Sequence, residues 1–536
     1  MALPKIRDLA KYGVVTDVDP FDLPLGAWSM AVNIRFEDGR VQSSPVWRNI
    51  KTLSEDDPRF VYSTTRAASK TYVGYLDGTI KDWSPAVESD VSLSGYTPSS
   101  VEATWTSCLL AEVAYINRED RPPWGITPSS PDFTTLTDWD SDWTCKVLRA
   151  YNSALIALNV SKGAVDYPTM VKTSDIVTDP GVMPPSWDHS DPTTNATENN
   201  LTEMKGALLD ALPFGNSMIL YTSQEAWQMV ADGSDNVYAY DRLQFDNGVI
   251  NTNCVVAVDN KHYGFGPTDI WVHDGTQQVS IADGRVRKFV YASMNAKKSD
   301  QFFVSYNPNK REIGFHFISG DPYIKFSGTG CNRVAVFSLS NSTWTFDDAP
   351  LVFAATNAQV TLDTQTWSNV TQDWNNVGGT WQDLEDGFKR VPIYVGEASA
   401  LYGFSSTMYA KDSYGVGSVL NSPADPNANK GSLLLREGID LDEVDADLRD
   451  YKHFTGVYPQ GRLDPSALPV TFTVGVSDYQ DVAPMYGTPQ TWNAREDYRL
   501  DFVDGGRFLA LKVTYPDYKT MSLSGFDLEF EVTGSR

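Results

Sequence analysis

Three aspartates at alternate positions are the strongest candidate for metal chemistry in this sequence. Asp138, Asp140 and Asp142 stand where the first ligands of a calcium-binding loop would be. The sixth position of such a loop needs glycine for its turn, and the twelfth needs a bidentate glutamate. Here these positions are Trp143 and Arg149, so the EF-hand interpretation fails. A solvated turn between aromatic strands is preferred, and an improvised cation site near the three aspartates stays open as the alternative.

Catalytic motifs are missing from the sequence. It contains no nucleophile elbow, no phosphate-binding loop and no dinucleotide-binding glycine motif that opens a helix. The histidines fall singly, without the HxH or HExxH spacing of a zinc site, at His189, His262, His273, His316 and His453. The cysteines are widely scattered, with no CxxC pair, at Cys108, Cys145, Cys254 and Cys331. We therefore expect no enzyme, no catalytic, cofactor-binding or metal-ligating residues, no cofactor and no disulfide scaffold.

The charge balance narrows the possible partners. The chain of 536 residues has 43 Lys and Arg against 69 Asp and Glu, a net charge of −26. Such a surface repels phosphate, so we expect no nucleic-acid binding by counterion release. The charge fits plain solubility, and it also fits an acidic passage through which a polyanion slides without adhering. No signal-peptide core or membrane-spanning run is visible, so we expect synthesis in a cytoplasm and no membrane-spanning segment.

Short strand patterns separated by tight turns dominate the middle of the chain. Clear examples are the runs 217–222, 226–230, 254–258, 262–265 and 269–272. Asp274-Gly275 predicts a hairpin turn, after which 277–281 would return as a strand. Such strands recur in sets of about four per roughly 40–50 residues, the size of a β-propeller blade. Helical periodicity is nearly absent, and the best short candidates for a helix are 5–12 and 201–211.

These patterns predict an all-β protein with three parts. Residues 1–50 form an N-terminal strand and turn segment that packs on the β domains. Residues 51–405 form a β-propeller of short-stranded blades with insertions, with room for roughly six to eight blades. Residues 406–536 form an additional antiparallel β-sandwich, because strands such as 526–532 alternate apolar with acidic residues and therefore have one solvated face.

A tryptophan repeat at 364–386 belongs to the predicted propeller. Trp367, Trp374 and Trp381 are seven residues apart, and an apolar residue follows each by three, as in the heptads of a coiled coil. Gly378 and Gly379 oppose that interpretation, because each glycine costs a helix roughly 1 kcal/mol relative to alanine. A continuous strand is excluded too, since an odd spacing would place successive tryptophans on opposite faces. We predict short strands and turns whose tryptophans form a stacked aromatic ladder, packed against a neighbouring sheet near the propeller's end.

Several stretches, taken in their order along the chain, resemble a known family. They are DPFDLPLGAW (19–28) with NIRFEDGRV (33–41), YPTMVKTSD (167–175) with PSW (185–187), GFGPTDIWVHDG (264–275) and GFDLEF (525–530). Together they resemble the tail nozzle, or tail tubular, proteins of short-tailed bacteriophages and the related virion stabilisation proteins. The resemblance spans roughly 15–45, 150–320 and the last 170 residues of the chain.

The resemblance implies a structural virion protein that forms a homohexameric ring, with a β-propeller on each subunit. The ring would continue the channel of the portal and of the adaptor, the head-to-tail connector protein. It would retain packaged dsDNA, conduct it during ejection without sequence-specific binding, and contact tail fibres or spikes. The implied location is the virion tail after synthesis in the host bacterial cytoplasm, and no catalytic residues come with the family.

The alternative function is a carbohydrate-binding or carbohydrate-cleaving β-propeller, either a phage receptor-binding protein or a lectin. Its motivation is the aromatic content of 15 Trp, 26 Tyr and 24 Phe, since sugars stack on aromatic faces. The nearest approach to a sialidase Asp-box, at 338–344, lacks both the Asp and the Gly of that motif.

Overall fold

A computed structural model describes the fold over residues 5–64, 70–83, 88–95, 97, 99–233, 237–359, 390–397, 406–411, 431–441, 450–517 and 519–535. Strands make up 53% of the residues and helices 4%, which confirms the prediction of an all-β protein. Among these residues, no helix has the length and apolar character that crossing a membrane requires. The predicted tryptophan ladder at 364–386 lies outside the described residues.

The first strands of the chain are short. They are β1 (Lys5–Arg7), β2 (Met30–Val32), β3 (Ile34–Glu37), β4 (Arg40–Ser43) and β5 (Trp47–Thr52), with a 3-10 turn at Pro20–Asp22 between β1 and β2. A two-residue turn joins β3 to β4, and both of its residues, Asp38 and Gly39, have positive φ of 50° and 73°. This is the Asp-Gly geometry that matches the twist of a tight hairpin. The helix expected at 5–12 is therefore replaced by a strand and turns.

Five four-stranded antiparallel sheets follow, and in each of them consecutive strands pair. The first sheet contains β6 (Pro58–Ser63), β7 (Thr71–Tyr75), β8 (Ile80–Trp83) and β9 (Glu88–Asp90). The second contains β10 (Trp105–Leu110), β11 (Val113–Arg118), β12 (Trp124–Ile126) and β13 (Thr134–Thr135). The third contains β14 (Trp143–Tyr151), β15 (Ala154–Lys162), β16 (Val165–Thr173) and β17 (Thr197–Asn200). The fourth contains β18 (Asp210–Phe214), β19 (Ser217–Tyr221), β20 (Ala226–Ala231) and β21 (Tyr238–Arg242). The fifth contains β22 (Val255–Val258), β23 (Lys261–Phe265), β24 (Ile270–His273) and β25 (Gln278–Ser280). The predicted sets of four short strands are confirmed, whereas residues 201–211 contain no helix.

A sixth and a seventh sheet share one long strand. The α-helix α1 (Arg287–Ser293) and a 3-10 segment (Ala296–Gln301) lead to β26 (Phe303–Asn307), β27 (Glu312–Phe317), β28 (Cys331–Ser338) and β29 (Trp344–Gln359). The first part of β29 completes the sixth sheet by pairing with β28. Its later part pairs with β30 (Arg390–Glu397), which pairs with β31 (Ser406–Lys411), and β5 from the start of the chain completes the seventh sheet.

The change of partner along β29 occurs at Leu351, whose φ is +53°. Two glycines approach this residue closely. A Cβ atom on either Gly330 or Gly396 would lie 2.8 Å from the Leu351 carbonyl oxygen, which is closer than real Cβ atoms come to other atoms. Glycine at these two positions therefore lets three strands meet where the sixth sheet passes into the seventh.

The first strands of the seven sheets contact one another in a closed series. Along this series β6 contacts β10, β10 contacts β14, β14 contacts β18, β18 contacts β22, β22 contacts β26, β26 contacts β29, and β29 contacts β6. Aromatic side chains pack between neighbouring sheets, as in the stacked pair Phe60 and Trp105, whose ring centroids are 5.4 Å apart. The result is a propeller-like arrangement. The outer strand of its seventh sheet is β5, which precedes the first sheet in the sequence.

The remaining strands form two sheets, called the terminal sheets below. Besides β1 to β4, they contain β32 (Ser432–Ile439), β33 (Asp450–Leu463), β34 (Val470–Ser477), β35 (Met485–Tyr486), β36 (Gln490–Trp492), β37 (Leu500–Gly506), β38 (Phe508–Tyr515) and β39 (Met521–Ser535). One terminal sheet has the order β3-β4-β39-β33-β37, with β1 on β39. The other has the order β2-β32-β38-β34-β35, with β36 on β34. Because β2 also pairs in parallel with β29, this second sheet continues the sixth sheet without a break.

The pairing of the strands differs in two ways from the predicted division of the chain into 1–50, 51–405 and 406–536. Within the predicted segment 1–50, β1 to β4 are integral members of the terminal sheets, and β5 belongs to the seventh sheet. The predicted boundary between 405 and 406 falls between β30 and β31, which are hydrogen-bonded to each other. Both differences arise from pairing between residues far apart in sequence.

Candidate functional site

A small cavity lies where the first strands of the sheets meet. Its walls include Arg59 of the first sheet, Trp105 of the second, Arg149 of the third, Asn253 before the fifth and Phe303 of the sixth. Its volume is about 230 Å³, which is room for several water molecules at roughly 30 Å³ each. The cavity therefore has room for small molecules.

The charged groups around this cavity are bound to one another. Both Arg149 nitrogens Nε and Nη2 donate to the Asp210 carboxylate, at 2.9 and 3.0 Å. Arg149 also donates to the Asn253 Oδ1 at 3.0 Å and to the Ser107 carbonyl at 3.1 Å. Asn253 in turn donates to the carbonyl oxygen of Trp105 at 2.9 Å. These bonds connect the first strands of the second, third and fourth sheets with the segment before the fifth, so Arg149 joins sheets and is not a free cation.

A second charged group lies where the seventh sheet meets the first. Arg59 donates to Glu102 at 3.1 Å and approaches Glu397 at 3.4 Å, and its guanidinium lies 4.1 Å from the Phe353 ring centroid. Burial and a hydrogen bond with Asp57 together raise the pKa of Glu397 to about 7, against the opposing charge of Arg59. The protonation of Glu397 therefore changes near neutral pH.

Two histidines that the sequence shows singly are brought together with Tyr221. The His273 Nδ1 accepts from the Gly275 N–H at 3.1 Å, so the proton of His273 lies on Nε2 and points at the Tyr221 hydroxyl, 2.6 Å away. Tyr221 then donates to the His262 Nδ1 at 2.7 Å, and the His262 Nε2–H donates to the Pro213 carbonyl at 2.9 Å. Every polar atom of this buried chain is satisfied with both imidazoles neutral.

Burial keeps these two imidazoles neutral over a wide pH range. It lowers the pKa of His262 to about 4. Burial, together with the nearby His262, lowers the pKa of His273 to about 3. A general base working at neutral pH needs a pKa nearer 7 and access to a substrate. His262 and His273 are each 1% exposed, so they link the fourth and fifth sheets and do not form an acid–base site.

The other histidines do not converge on a site. The His316 Nε2 lies 2.8 Å from the Ser305 hydroxyl, and its ring stacks on Phe303 with centroids 4.2 Å apart. This pair resembles a nucleophile and its base, but His316 and Ser305 are 1% and 8% exposed. Burial and the charge of Lys411 hold the pKa of His316 well below its usual value.

The three aspartates of the possible cation site are used in turn formation. Asp138 has a positive φ of 59°, and its Oδ2 accepts from the Ser186 hydroxyl at 2.6 Å and from the Trp187 N–H at 3.1 Å. Beside it, the rings of Trp139 and Trp187 meet edge to face at 4.7 Å. Among the described residues, no group of three or more His, Cys, Asp or Glu is placed to hold a metal ion.

A buried ion cluster joins the first strands of the chain to the sixth sheet. Arg35 donates to Glu312 at 2.7 Å and to both oxygens of Asp347, and Lys411 also contacts Asp347. Burial alone would raise the pKa of Asp347, but the charges of Arg35 and Lys411 lower it below the usual range. The next residue, Asp348, accepts from Arg333 at 2.8 Å. The only indication of this cluster in the sequence is the presence of charged residues within apolar strands.

The four cysteines are free thiols, of which Cys145, Cys254 and Cys331 are buried and Cys108 is half-buried. Cys254 donates to the Phe302 carbonyl at 3.2 Å, and Cys331 donates to the adjacent Gln301 carbonyl at 3.3 Å. Burial raises the pKa of the Cys108 thiol to about 12. A thiol with so high a pKa is not a nucleophile at neutral pH.

The charged and polar residues at the sheet junctions therefore hold sheets of a mostly-β protein together. Comparison with family models and with curated proteins found no match for this chain.

Proposed function

We propose that the chain is a structural, ring-forming tail nozzle protein of a short-tailed phage. In this proposal the seven sheets are the blades of a β-propeller closed by β5, and the terminal sheets form the β-sandwich. The observation that carries the proposal is the use of the central polar groups: Arg149, Asp210 and the histidine pair bind other parts of the fold and hold its sheets together.

The size of the central cavity supports a passage formed between subunits. A space of about 230 Å³ holds only a few water molecules at roughly 30 Å³ each, far less than a DNA duplex occupies. A conduit would therefore need a ring of several copies, which agrees with the homohexamer that the family resemblance implies. The net charge of −26 per copy suits a channel wall that does not retain the DNA backbone.

The carbohydrate alternative has one observation in its favour. Four tyrosines of the terminal sheets and their connecting loops are exposed, with Tyr498 at 80% and Tyr479 at 65%, together with Tyr451 and Tyr486. Exposed rings can stack on sugars, but no tryptophan in the described part of the chain is exposed. We therefore keep this alternative as an outcome of the test.

The test is the assembly state of the purified protein, alone and mixed with its head-to-tail adaptor, by native mass spectrometry and negative-stain microscopy. A closed ring of six with a central hole is expected, with the adaptor promoting it if isolated subunits stay monomeric. A protein that remains monomeric or trimeric with adaptor present and binds glycans on an array would contradict the nozzle and support the alternative.

A further inference from the structure

Positive charge is concentrated in one segment of this acidic chain. Residues 285–298, here called the basic segment, contain five Lys or Arg and no Asp or Glu. Lys288 and Lys297 are exposed, and Arg287 keeps 41% of its side chain exposed beside Asp283. Among the described residues, neither Lys297 nor Lys298 forms an ion pair. A solvated surface would explain isolated lysines, but it does not explain such a concentration in a chain of net charge −26.

The backbone of the basic segment is held in place. The Asp17 carboxylate accepts from the Lys288 N–H at 2.8 Å and from the Arg287 N–H at 3.1 Å. The Tyr291 hydroxyl donates to the Gly266 carbonyl at 2.6 Å, and the ring of Phe289 packs 4.9 Å from that of Phe346. A surface that is already ordered loses little conformational entropy when it binds a partner.

A complementary acidic surface lies elsewhere on the same chain. The loops 136–142 and 174–196, together called the acidic patch, contain seven aspartates and no Lys or Arg. The loops pack together through Trp139 and Trp187 and through the bonds that Asp138 accepts from Ser186 and Trp187. Asp140, Asp188 and Asp191 are exposed, and no aspartate of the patch pairs with Lys or Arg in the described part of the chain.

The two surfaces lie beside sheets that are three positions apart in the closed series. The acidic patch flanks the third sheet, whereas the basic segment leads into β26, the first strand of the sixth sheet. In a closed series of seven sheets, three positions are the largest possible separation. Complementary patches on different sides of one subunit cannot pair within it, but they can join successive copies head to tail, and such contacts form rings when the rotation closes.

We propose that the basic segment docks on the acidic patch of a second copy of this chain, and that this contact orders the subunits in a ring. The proposal rests on the ring-forming function proposed above and adds the surfaces that make the contact. Six copies that each carry −26 repel one another, so a local attraction of opposite charges would also fix which surfaces meet.

Charge reversal tests the contact. Lys297→Glu with Lys298→Glu, and separately Asp188→Lys with Asp191→Lys, should each raise the protein concentration needed for ring formation about tenfold or more. The four substitutions combined restore opposite charges across the contact and leave the net charge unchanged, so they should restore assembly. The matched control is Lys205→Glu with Lys261→Glu, which makes the same change in net charge at exposed lysines elsewhere and should assemble as the unsubstituted protein does.

Ring populations are measured by native mass spectrometry at about 0.05 M and about 0.5 M salt, and the higher salt should weaken assembly of the unsubstituted protein by screening. Rings that form equally well in both charge-reversed variants, or a combined variant that assembles no better than either, would overturn this contact and leave the proposed function standing. Failure of the unsubstituted protein to assemble, alone and with adaptor, would overturn the proposed function together with this contact.

Discussion

Arg35 and Asp347 form a two-point ion pair in the interior of the protein, with Nη1 to Oδ1 at 2.9 Å and Nη2 to Oδ2 at 2.6 Å. The Asp347 side chain is fully buried, and that of Arg35 is 4% exposed. Arg35 lies on β3 of a terminal sheet and Asp347 on the part of β29 that completes the sixth sheet. The pair therefore joins the chain's first strands to the body of the protein by a contact with strict geometric demands.

Replacing Arg35 with methionine should strongly destabilise the protein. The substitution leaves Glu312 without its cation and Asp347 with Lys411 alone, and breaking one side of a buried pair costs about 3–5 kcal/mol. The free energy of unfolding from urea titration measures the loss. Arg40→Met, at an exposed position on the paired strand β4, is the control and should change stability little. Equal losses in the two variants would contradict the role given to the ion pair.

The hydroxyl of Tyr221 should contribute measurably to stability. Tyr221→Phe keeps the ring that packs 5.7 Å from Trp271 but removes the donor to His262 and the acceptor for His273. Leaving two buried nitrogens unsatisfied is expected to cost about 1–3 kcal/mol in urea unfolding. Tyr263→Phe, on β23 of the fifth sheet, is the control, since its hydroxyl has no hydrogen-bond partner among the described residues. A loss confined to Tyr263→Phe would show that the hydrogen-bonded chain is not formed.

The histidine pair should make the protein sensitive to acid. Burial lowers the pKa of His262 to about 4 and that of His273 to about 3, whereas an unfolded histidine titrates near 6.5. Between these values the unfolded chain binds more protons, so the stabilising contribution is complete above about pH 6.5 and is lost as the pH falls toward 4. The difference in unfolding free energy between the unsubstituted protein and His262→Gln with His273→Gln should therefore shrink from pH 7 to pH 4. A difference that stays constant over this range would argue against neutral buried imidazoles.

The contribution of Glu397 to folding stability should depend on pH in the opposite direction. Burial and the contact with Asp57 raise its pKa to about 7, above the usual value of 4.5, so the folded protein holds a proton that the unfolded chain releases. Its contribution is complete below about pH 4.5 and is lost as the pH rises through 7. Glu397→Gln keeps the shape without titrating, and its stability relative to the unsubstituted protein should rise between pH 5 and pH 8. A stability difference that stays constant between pH 5 and pH 8 would contradict the raised pKa of Glu397.

Alanine at position 396 should destabilise the junction of the sixth and seventh sheets. Its Cβ would lie 2.8 Å from the Leu351 carbonyl oxygen and 3.0 Å from that of Pro350, and backbone atoms cannot move aside as a flexible side chain can. We expect a loss of about 1–3 kcal/mol in urea unfolding, the usual cost of overpacking. Gly320→Ala is the control, because the nearest atom to its new Cβ would be 4.0 Å away. Similar stability of the two variants would exclude a close approach at Gly396.

Local sequence patterns predicted most of the strands but not how distant strands pair. Runs such as 217–222 and 226–230 are short and mostly apolar and end at turns, and they form β19 and β20. The hairpin expected at Asp274-Gly275 is present, but its loop has four residues because the Asp274 side chain accepts from the N–H groups of Thr276 and Gln277. The helix expected at 5–12 is wrong: β1 gains hydrogen bonds from β39, whose residues lie at the far end of the sequence.

The junction residues were not predictable from sequence for a related reason. Arg149 appeared only as a failed calcium ligand, yet it binds Asp210 and Asn253 from the neighbouring parts of the fold. His262 and His273 showed no metal spacing, although β23 and β24 place them directly opposite each other. A charge or an imidazole inside an apolar strand indicates a buried partner, but the partner's identity depends on tertiary packing.

The pairing of β1 with β39 sets an order of events during synthesis. Residues 303–338 can fold into hairpins as they leave the ribosome, because each strand pairs with the one just made. Lys5–Arg7 must wait for 525–527, and β5 cannot complete the seventh sheet until 407–411 has been made. Slow, long-range closure of this kind leaves the first strands with unpaired edges while translation continues, exposed to aggregation. The nascent chain would therefore depend most on chaperones for its earliest residues.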